Sequence, residues 1–246
     1  MDPLGPTRYL APMLPLLALT LACGSEPEEP TPTDDSTYLR GTYRQANFLP
    51  WEGVEICIDE LPDLACESTD SDGNFLLEGL PLETDLTVRP HHADVGLDTY
   101  HPHNTLDFEN TWNRALITYD KLQGAAEDLG GSLTAGLGHY AFVAITDFPD
   151  WSLSKEVTFR LTPDPGLEGY YGKISGSPDP DLSATGSAGS GGMVNIPPGD
   201  YEVTFTGPGG PCRRIASWDF DEGDPVPITI HPDGVTYMEV ICPPAE

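Results

Sequence analysis

Residues 69–81 read TDSDGNFLLEGLP, and this stretch carries the strongest indication of the fold. Its first half is a tight-turn sequence centred on Gly73, since glycine reaches positive φ without steric cost. A strand is predicted to begin at Phe75, and residues 79–81 (GLP) precede the next predicted strand. A tight turn followed by a short apolar segment is typical of β-sheet proteins.

The residues on either side of this stretch also predict strands. Residues 38–44 (YLRGTYR) form one, and residues 53–58 (GVEICI) form another in which Val54, Ile56 and Ile58 share a face. Residues 85–89 (DLTVR) form the next strand along the chain. Gly and Pro number 26 each, so turn-forming residues divide the chain into short segments that favour a sandwich over a helical bundle.

This succession resembles the carboxypeptidase regulatory-like, or transthyretin-like, β-sandwich family over residues 38–105. The resemblance is carried by Gly41, by residues 53–56 (GVEI), by the turn at 69–75 (TDSDGNF) and by residues 79–81 (GLP). It implies a Greek-key sandwich of about seven strands. It also implies a spacer, stability or binding module rather than a catalyst.

A second module of the same type is predicted for residues 138–246. The pattern T-x₃-G-x₆-[LI]-P occurs at Thr69 and again at Thr185, and a strand follows each copy. The Ser/Gly-rich residues 182–195 are therefore interpreted as part of a fold rather than as a linker. Further predicted strands lie at 140–145, 157–161, 201–205, 226–230 and 235–241.

Residues 109–137 are predicted to connect the first sandwich (38–108) to the second. Apolar side chains recur there at helical spacing, which predicts one short helix over residues 118–129. Thr118 is a suitable N-cap, and Gly130 is a suitable residue just past the C-terminus. The predicted fold class is thus mostly β, with two tandem Greek-key, transthyretin-like or Ig-like sandwiches and one short connecting helix.

The N-terminus predicts export and lipid anchoring. Residues 9–22 carry no charge, and this run is shorter than the roughly 20 residues of a membrane-spanning helix but has the length of a signal-peptide core. Residues 19–23 (LTLAC) resemble a lipobox, in which a small residue, here Ala22, precedes the lipid-accepting Cys23. An ordinary secretory signal with an incidental cysteine is the alternative.

The segment after the predicted cleavage site is typical of a solvated tether. Residues 1–22 are predicted to be the signal peptide, and residues 23–37 are acidic and proline-rich without large apolar side chains. Gly24 follows the pattern of lipoproteins sent to the outer membrane. The predicted location is therefore the outer membrane, with the protein facing the periplasm or the cell surface and contacting the membrane through Cys23.

The other four of the five cysteines predict two disulfides, since an even number remains in an exported protein. Cys57 is expected to pair with Cys66 across a hairpin, and Cys212 with Cys242 in the second module. In the chain-entropy model these bonds contribute about 3 and about 4 kcal/mol. Zinc is the alternative, although the sequence contains no C-x₂-C spacing.

The net charge of −29 excludes nucleic-acid binding through phosphates and disfavours direct contact with anionic headgroups. It leaves a solubilising surface or a calcium-binding surface as interpretations. The loop at residues 70–74 begins like an EF-hand, but Pro81 occupies the position that needs a bidentate carboxylate, so a β-turn is favoured. No G-x-S-x-G motif occurs, and no catalytic residue or cofactor is predicted.

The histidines provide the candidate metal site. His91, His92, His101 and His103 lie close together in sequence with aspartates nearby, and they are expected on a loop between proline-rich turns. Residues 89–92 (RPHH) faintly resemble a motif of intradiol dioxygenases, but the second histidine is one position early and no tyrosine ligand pair can be assigned. These residues are weak metal-ligand candidates.

Three functions remain open from the sequence. The first is a non-enzymatic binding or structural module with a possible protein or polysaccharide ligand. The second is a metal-dependent enzyme or metal-binding protein that uses residues 91–103. The third is a polysaccharide-binding surface protein in which aromatic rings stack on sugar faces, and its candidate residues are Trp112, Trp151, Trp218, Tyr170 and Tyr171.

Overall fold

The computed structural model describes residues 36–45, 49–105, 110–146, 152–173, 177–214 and 225–245. The fold is mostly β and contains two sandwiches and one helix within these residues. The elements in chain order are β1 (Ser36–Arg44), β2 (Glu55–Ile58), β3 (Glu67–Ser68), β4 (Asn74–Pro81), β5 (Thr84–His91), β6 (Asp98–Thr105), β7 (Asn110–Ala115), α1 (Tyr119–Asp128), β8 (Gly138–Ile145), β9 (Thr158–Thr162), β10 (Tyr170–Tyr171), β11 (Ser190–Ile196), β12 (Gly199–Gly207), β13 (Gly210–Pro211), β14 (Arg213–Arg214), β15 (Val226–Ile230) and β16 (Gly234–Ile241).

The first sandwich packs the sheet β4-β1-β7 against the strands β3-β2-β5-β6. Its strands bury alternate residues, as the period of two in a strand requires. On β4 the inward positions include Phe75 and Leu77, and on β5 they are Leu86 and Val88. These side chains join those of β1 and β2 in one hydrophobic core, so the alternation predicted for residues 53–58 and 85–89 is confirmed.

The second sandwich packs the strands β10-β11-β8-β16 against the sheet β9-β12-β15. Its core is rich in aromatic rings, with Phe142 contacting Phe159 and Phe205 at centroid distances of 5.1 and 5.0 Å. Residues 190–196 of the Ser/Gly-rich stretch form β11, which pairs with β8. The interpretation of this stretch as part of the fold is therefore confirmed.

The two sandwiches have the same strand pairing. In the first, β1 pairs with β4 in antiparallel and with β7 in parallel orientation. In the second, β8 pairs with β11 in antiparallel and with β16 in parallel orientation. In the first sandwich the chain then continues from β4 into β5, which lies at the centre of the opposite layer between β2 and β6. In the second it continues from β11 into β12, which lies at the centre of the opposite layer between β9 and β15. The repeat predicted from T-x₃-G-x₆-[LI]-P is therefore a repeat of structure.

Thr69 explains why the motif begins with threonine. Its side-chain oxygen accepts the Val54 N–H at 2.9 Å and donates to the Trp51 carbonyl at 2.6 Å. Its backbone N–H donates to the Val54 carbonyl at 2.9 Å. A buried threonine, 4% exposed, thus ties the turn before β4 to the chain that enters β2.

Thr185 makes the same bonds in the second sandwich. Its side-chain oxygen accepts the Val157 N–H at 2.9 Å and donates to the Ser154 carbonyl at 2.9 Å. Its backbone N–H donates to the Val157 carbonyl at 2.9 Å. Trp51 and Ser154 therefore occupy equivalent positions although their side chains have nothing in common.

The glycine of the motif is required by close contact with the backbone. Gly73 has φ +79° and Gly189 has φ +58°, and a Cβ at either position would lie 2.5 or 2.6 Å from the carbonyl oxygen of Tyr43 or Ala144. In turn, the Gly73 carbonyl accepts the Tyr43 N–H and the Gly189 carbonyl accepts the Ala144 N–H. Both glycines thus hold the turn against the end of the first strand.

One continuous sheet joins the two sandwiches. The start of β16 pairs in parallel with β6, from Gly234 opposite Asp98 to Thr236 opposite Tyr100. Strand β16 also contributes to both cores. Val235 and Tyr237 contact the first core, whereas Met238 and Val240 belong to the second.

The segment between α1 and β8 is fixed by hydrogen bonds to the second sandwich. Asn195 Oδ1 accepts the Thr134 N–H at 2.8 Å, and its Nδ2 donates to the Ser132 carbonyl at 2.9 Å. Asp233 Oδ1 accepts the Gly136 N–H at 2.7 Å. Because Asn195 lies on β11 and Asp233 lies in the turn before β16, the segment is held at two points rather than free to swing.

The helix forms where the sequence predicts it. α1 begins after the N-cap Thr118, whose Oγ1 accepts the Lys121 N–H at 3.4 Å, and Gly130 follows its end with φ +81°. Leu122 on its inner face is buried in the first core. Two strands that the sequence did not predict, β6 and β7, precede the helix in the chain, and β7 lies within residues 109–137 and pairs with β1. The division of the chain into a first sandwich at 38–108, a connecting segment at 109–137 and a second sandwich at 138–246 stays a prediction.

Candidate functional site

The structure corrects the expectation that the four histidines lie on a loop. His101 and His103 are on β6, where they pair opposite Val88 and Leu86, and they are only 2% and 3% exposed. His91 is the last residue of β5, and His92 follows it. The sequence of β6 does not show the alternation of apolar residues that predicts a strand, because its inward positions are occupied by threonine and histidine rather than by aliphatic residues.

The two histidine pairs have different surroundings. The inward-facing His101 packs edge-on against Tyr237 with ring centroids 5.3 Å apart. His91 is exposed and its Nδ1 lies 2.6 Å from Asp98 Oδ1, while the His92 ring packs against Trp51 at 5.1 Å. Metal binding by these residues stays a prediction, and two of its candidate ligands lie in the interior of a strand.

A charged network surrounds His91 on the outer face of β5 and β6. Arg89 Nε donates to Asp59 Oδ1 at 2.6 Å, and Arg89 Nη1 lies 3.8 Å from Asp98 Oδ2. The hydrogen bond that Arg89 donates to Asp59 raises the pKa of the Arg89 guanidinium above its usual value. Asp98 therefore lies between the Arg89 guanidinium and the His91 imidazole. The positive charge of Arg89 is in turn paired with two carboxylates, those of Asp59 and Asp98.

This network continues to the junction between the sandwiches. The Tyr100 ring stacks on the His231 ring with centroids 3.7 Å apart and planes 9° from parallel. Gly234 lies beneath this pair, since a Cβ there would be 2.5 Å from the Tyr100 ring. Partial burial, reinforced by Asp98 and Asp59, raises the pKa of Tyr100 to about 12, and partial burial lowers the pKa of His231.

The network is suited to orienting strands rather than to catalysis. Its cation is paired, its tyrosine is held in the neutral form, and each exposed ion pair contributes only about 0–1 kcal/mol to stability. Glu60 adds a further bond by accepting the Thr87 N–H and hydroxyl at 2.7 and 2.8 Å. Sequence analysis missed these residues because the network depends on the pairing of β5 with β6, although Arg89 and His91 do alternate along one strand.

The disulfides form as predicted, between Cys57 and Cys66 and between Cys212 and Cys242. In the parts of the chain that are described, Glu55, Cys57 and Cys66 are the only group of three potential metal ligands whose donor atoms lie within 4.8 Å of one another. Both sulfurs of that group are in the disulfide. This group therefore offers one free carboxylate and no thiolate.

Cys23 and the tether at residues 23–37 lie outside the described residues, apart from Ser36 and Thr37 at the start of β1, and lipidation stays a prediction. No helix among the residues that the structure describes is long and apolar enough to cross a membrane. Of the aromatic candidates for sugar binding, Tyr170 and Tyr171 are buried at 9% and 8% exposure, so their faces are not open to a ligand. Trp151 and Trp218 lie outside the described residues, and for Trp112 only its place on β7 is described.

The described surface has two concavities of note. One of about 460 Å³ is shallow and is formed by residues 93–96 and 118–120 beside the start of α1. The other is about 160 Å³ and lies along β9, where Arg160, Asp164 and Tyr171 contribute polar atoms. The larger is open to solvent and the smaller is below the usual size of a ligand site, about 300–1,000 Å³.

No protein-family model matches the sequence, and no curated protein matches it. Solved structures with similar regions include the Bacillus anthracis TIE protein, with 13% identity and a TM-score of 0.27 over 84% of this chain and 34% of that one. A Streptococcal ancillary pilin matches with 15% identity and a TM-score of 0.26 over 85% of this chain and 63% of the pilin.

The shaft pilin spaA from Lactobacillus rhamnosus GG matches with 9% identity and a TM-score of 0.25, over 84% of this chain and 97% of the pilin. This chain thus spans about a third of the first of these structures and less than two thirds of the second. TM-scores this low establish no shared fold, so the two sandwiches are defined by their own strand pairing and cores.

Proposed function

We propose that this protein is a lipid-anchored envelope protein whose two sandwiches form a non-enzymatic binding or structural module of the carboxypeptidase regulatory-like type. The signal sequence at residues 1–22 would direct export, and Cys23 would hold the mature chain on the outer membrane. The two disulfides support export, because such bonds persist in oxidising compartments. They also leave Cys23 as the one cysteine available for lipid.

The continuous sheet through both sandwiches is the observation that carries this proposal. A flexible pair of domains would need only a linker between them, whereas here β16 pairs with both β6 and β8. Asn195 and Asp233 fix the intervening segment as well. Such a unit keeps the surfaces of the two sandwiches at a constant distance and orientation from each other.

The charge of the protein restricts the partner of that surface. With a net charge of −29, the ectodomain would repel nucleic acids and anionic lipids. A neutral polysaccharide or a protein with a basic surface is the partner class that fits. The paired state of Arg89 supports a non-enzymatic role, since this cation, whose side chain is 32% exposed, is already engaged by carboxylates.

Metabolic labelling with palmitate tests the anchor. Wild-type protein should be labelled and should sediment with membranes, whereas Cys23→Ser should be unlabelled and should leave the membrane fraction. Ser25→Ala is the matched control, since it changes a neighbouring residue and keeps the lipid acceptor. Absence of label from the wild-type protein would overturn the lipoprotein assignment.

Distance measurements between spin labels test the rigid-module role. Labels at Asp94 in the first sandwich and Asp181 in the second would be placed on exposed positions. We expect a single narrow distance distribution. A broad distribution, as given by two bodies on a flexible joint, would contradict the role as a rigid module while leaving the anchor unaffected.

A further inference from the structure

Each sandwich begins and ends with strands that are bonded to each other in parallel. In the first, β1 and β7 are in register from Leu39 opposite Asn110 to Arg44 opposite Ala115. In the second, β8 and β16 are in register from His139 opposite Val235 to Ile145 opposite Ile241. Parallel pairing places the start of the entry strand and the end of the exit strand at opposite ends of the paired stretch.

This arrangement of the first and last strands determines how strongly each sandwich resists a pulling force. Hydrogen bonds between strands run across the strand direction. A pull on the entry and exit ends of a parallel pair therefore acts along the strands and loads all of the bonds together. A pull on two adjacent strand ends at the same end of an antiparallel pair instead opens the bonds one after another.

The disulfide Cys212–Cys242 lies at the exit end of the second pair. Cys242 directly follows β16, and β14 beside it pairs with β16 through Arg213 opposite Ile241. Tension that enters the chain beyond Cys242 thus passes to Cys212 as well as to β16. The span from Cys212 to Cys242, a sequence separation of 30, cannot extend while the bond is intact.

We propose that the two sandwiches are load-bearing in the direction from the first strand to the last, with β1–β7 and β8–β16 as the strand pairs that resist the load. The resistance follows from strand pairing alone. That the load arises between the membrane and a partner rests on the proposed function. The continuous pairing of β6 with β16 would carry tension from one sandwich to the other without a compliant joint.

Single-molecule force spectroscopy on the whole protein, with Cys23→Ser to remove the anchor, tests the proposal in two pulling directions. In the first, handles are attached before residue 36 and after residue 243. In the second, handles are attached at the exposed Pro198 and Pro232, beside the paired ends Gly199 and Ile230 of the antiparallel strands β12 and β15. At equal loading rate, the rupture force should be at least about twofold higher in the first direction.

Reduction of the disulfides supplies a second measurement. Reductant should lengthen the extension released by the second sandwich by about 100 Å, since the cysteines are separated by 30 positions in the sequence and a chain extends at most about 3.3–3.6 Å per residue. Equal rupture forces in both directions would overturn the proposal. Loss of palmitate labelling would refute the anchor but would leave the force comparison unchanged, so the two ideas fail separately.

Discussion

Replacing the motif threonines by valine is the most direct perturbation of the repeated architecture. Valine has nearly the shape of threonine, so Thr69→Val and Thr185→Val keep the packing and remove only the hydroxyl. Each change leaves one backbone N–H and one carbonyl without the side-chain partner that they have in the native protein. For Thr69 these are the Val54 N–H and the Trp51 carbonyl.

The magnitude follows from how deeply those groups are buried. A buried polar group that loses its partner costs about 1–3 kcal/mol. Both bonds of Thr185 are buried, whereas the bond from Thr69 to Trp51 is partly buried. We therefore expect losses in the free energy of unfolding of about 3 kcal/mol for Thr185→Val and about 2 kcal/mol for Thr69→Val.

Urea denaturation of the purified protein provides the assay. At an m-value of about 2 kcal/mol/M, these losses lower the unfolding midpoint by about 1 M or more. The serine variants retain the hydroxyl and should lose only about 0.8 kcal/mol for the missing methyl group. Thr206→Val, at an exposed position of β12, is the matched control and should change the midpoint little.

The order of the variants decides the interpretation. If serine costs more than valine at either position, packing rather than hydrogen bonding stabilises the motif. If the free energy of unfolding of either valine variant lies within about 0.5 kcal/mol of the wild-type value, the hydroxyl of that threonine contributes no more than a typical surface side chain. Either outcome would refute the argument that the two motifs share one structural role.

Gly73→Ala should destabilise the protein several times more than Gly79→Ala. Both glycines have φ +79°, but only at Gly73 would the new Cβ meet backbone atoms. Thermal unfolding of the two variants makes the comparison. The free energy of unfolding should fall as the pH drops below about 6.5, because burial lowers the pKa of His139 in the folded state, so that the unfolded chain binds more protons there. Urea midpoints between pH 7.5 and 5 measure this dependence of stability on pH, and His139→Gln should reduce it. Breaking the Cys212–Cys242 bond by a double Ser substitution should cost about 4 kcal/mol and breaking the shorter bond about 3 kcal/mol, so equal losses would contradict the chain-entropy argument. Elemental analysis should find no stoichiometric transition metal, and stoichiometric metal that is lost when the strand histidines are replaced would instead favour the metal-dependent function.

Local features of the fold were predictable from the sequence. The capped helix, the Cys57–Cys66 pair and the strands with alternating aliphatic residues each depend on residues near one another in the chain, and the structure contains all of them. The Cys212–Cys242 pair was predictable because the other cysteines were already assigned. The repeat was detectable because Thr69 and Gly73 carry roles that few other residues can fill. A hydroxyl must bond two backbone groups, and the glycine must fit against a carbonyl.

The features that escaped prediction depend on distant partners or on polar interiors. Strand β6 was not predicted because its inward side chains include Thr99, His101 and His103, which do not produce an apolar alternation. Its pairing with β16 joins Asp98 to Gly234, far apart in sequence, and no local pattern indicates such a contact. The charged network around Arg89 depends on the pairing of β5 with the unpredicted strand β6, so it could not be assembled from the sequence.

The position of β16 along the chain has a consequence for biogenesis. This strand lies inside a sheet, between β6 and β8, yet it is synthesised after all the other strands that the structure describes. An emerging polypeptide therefore exposes the edges of β6 and β8 until residue 241 has been made, and such edges invite pairing with other chains. A chain that stops before residue 234 would be left with two incomplete sheets. Chaperone protection should then be needed for almost the whole period of synthesis, and proteases should discriminate sharply between full-length and shortened products.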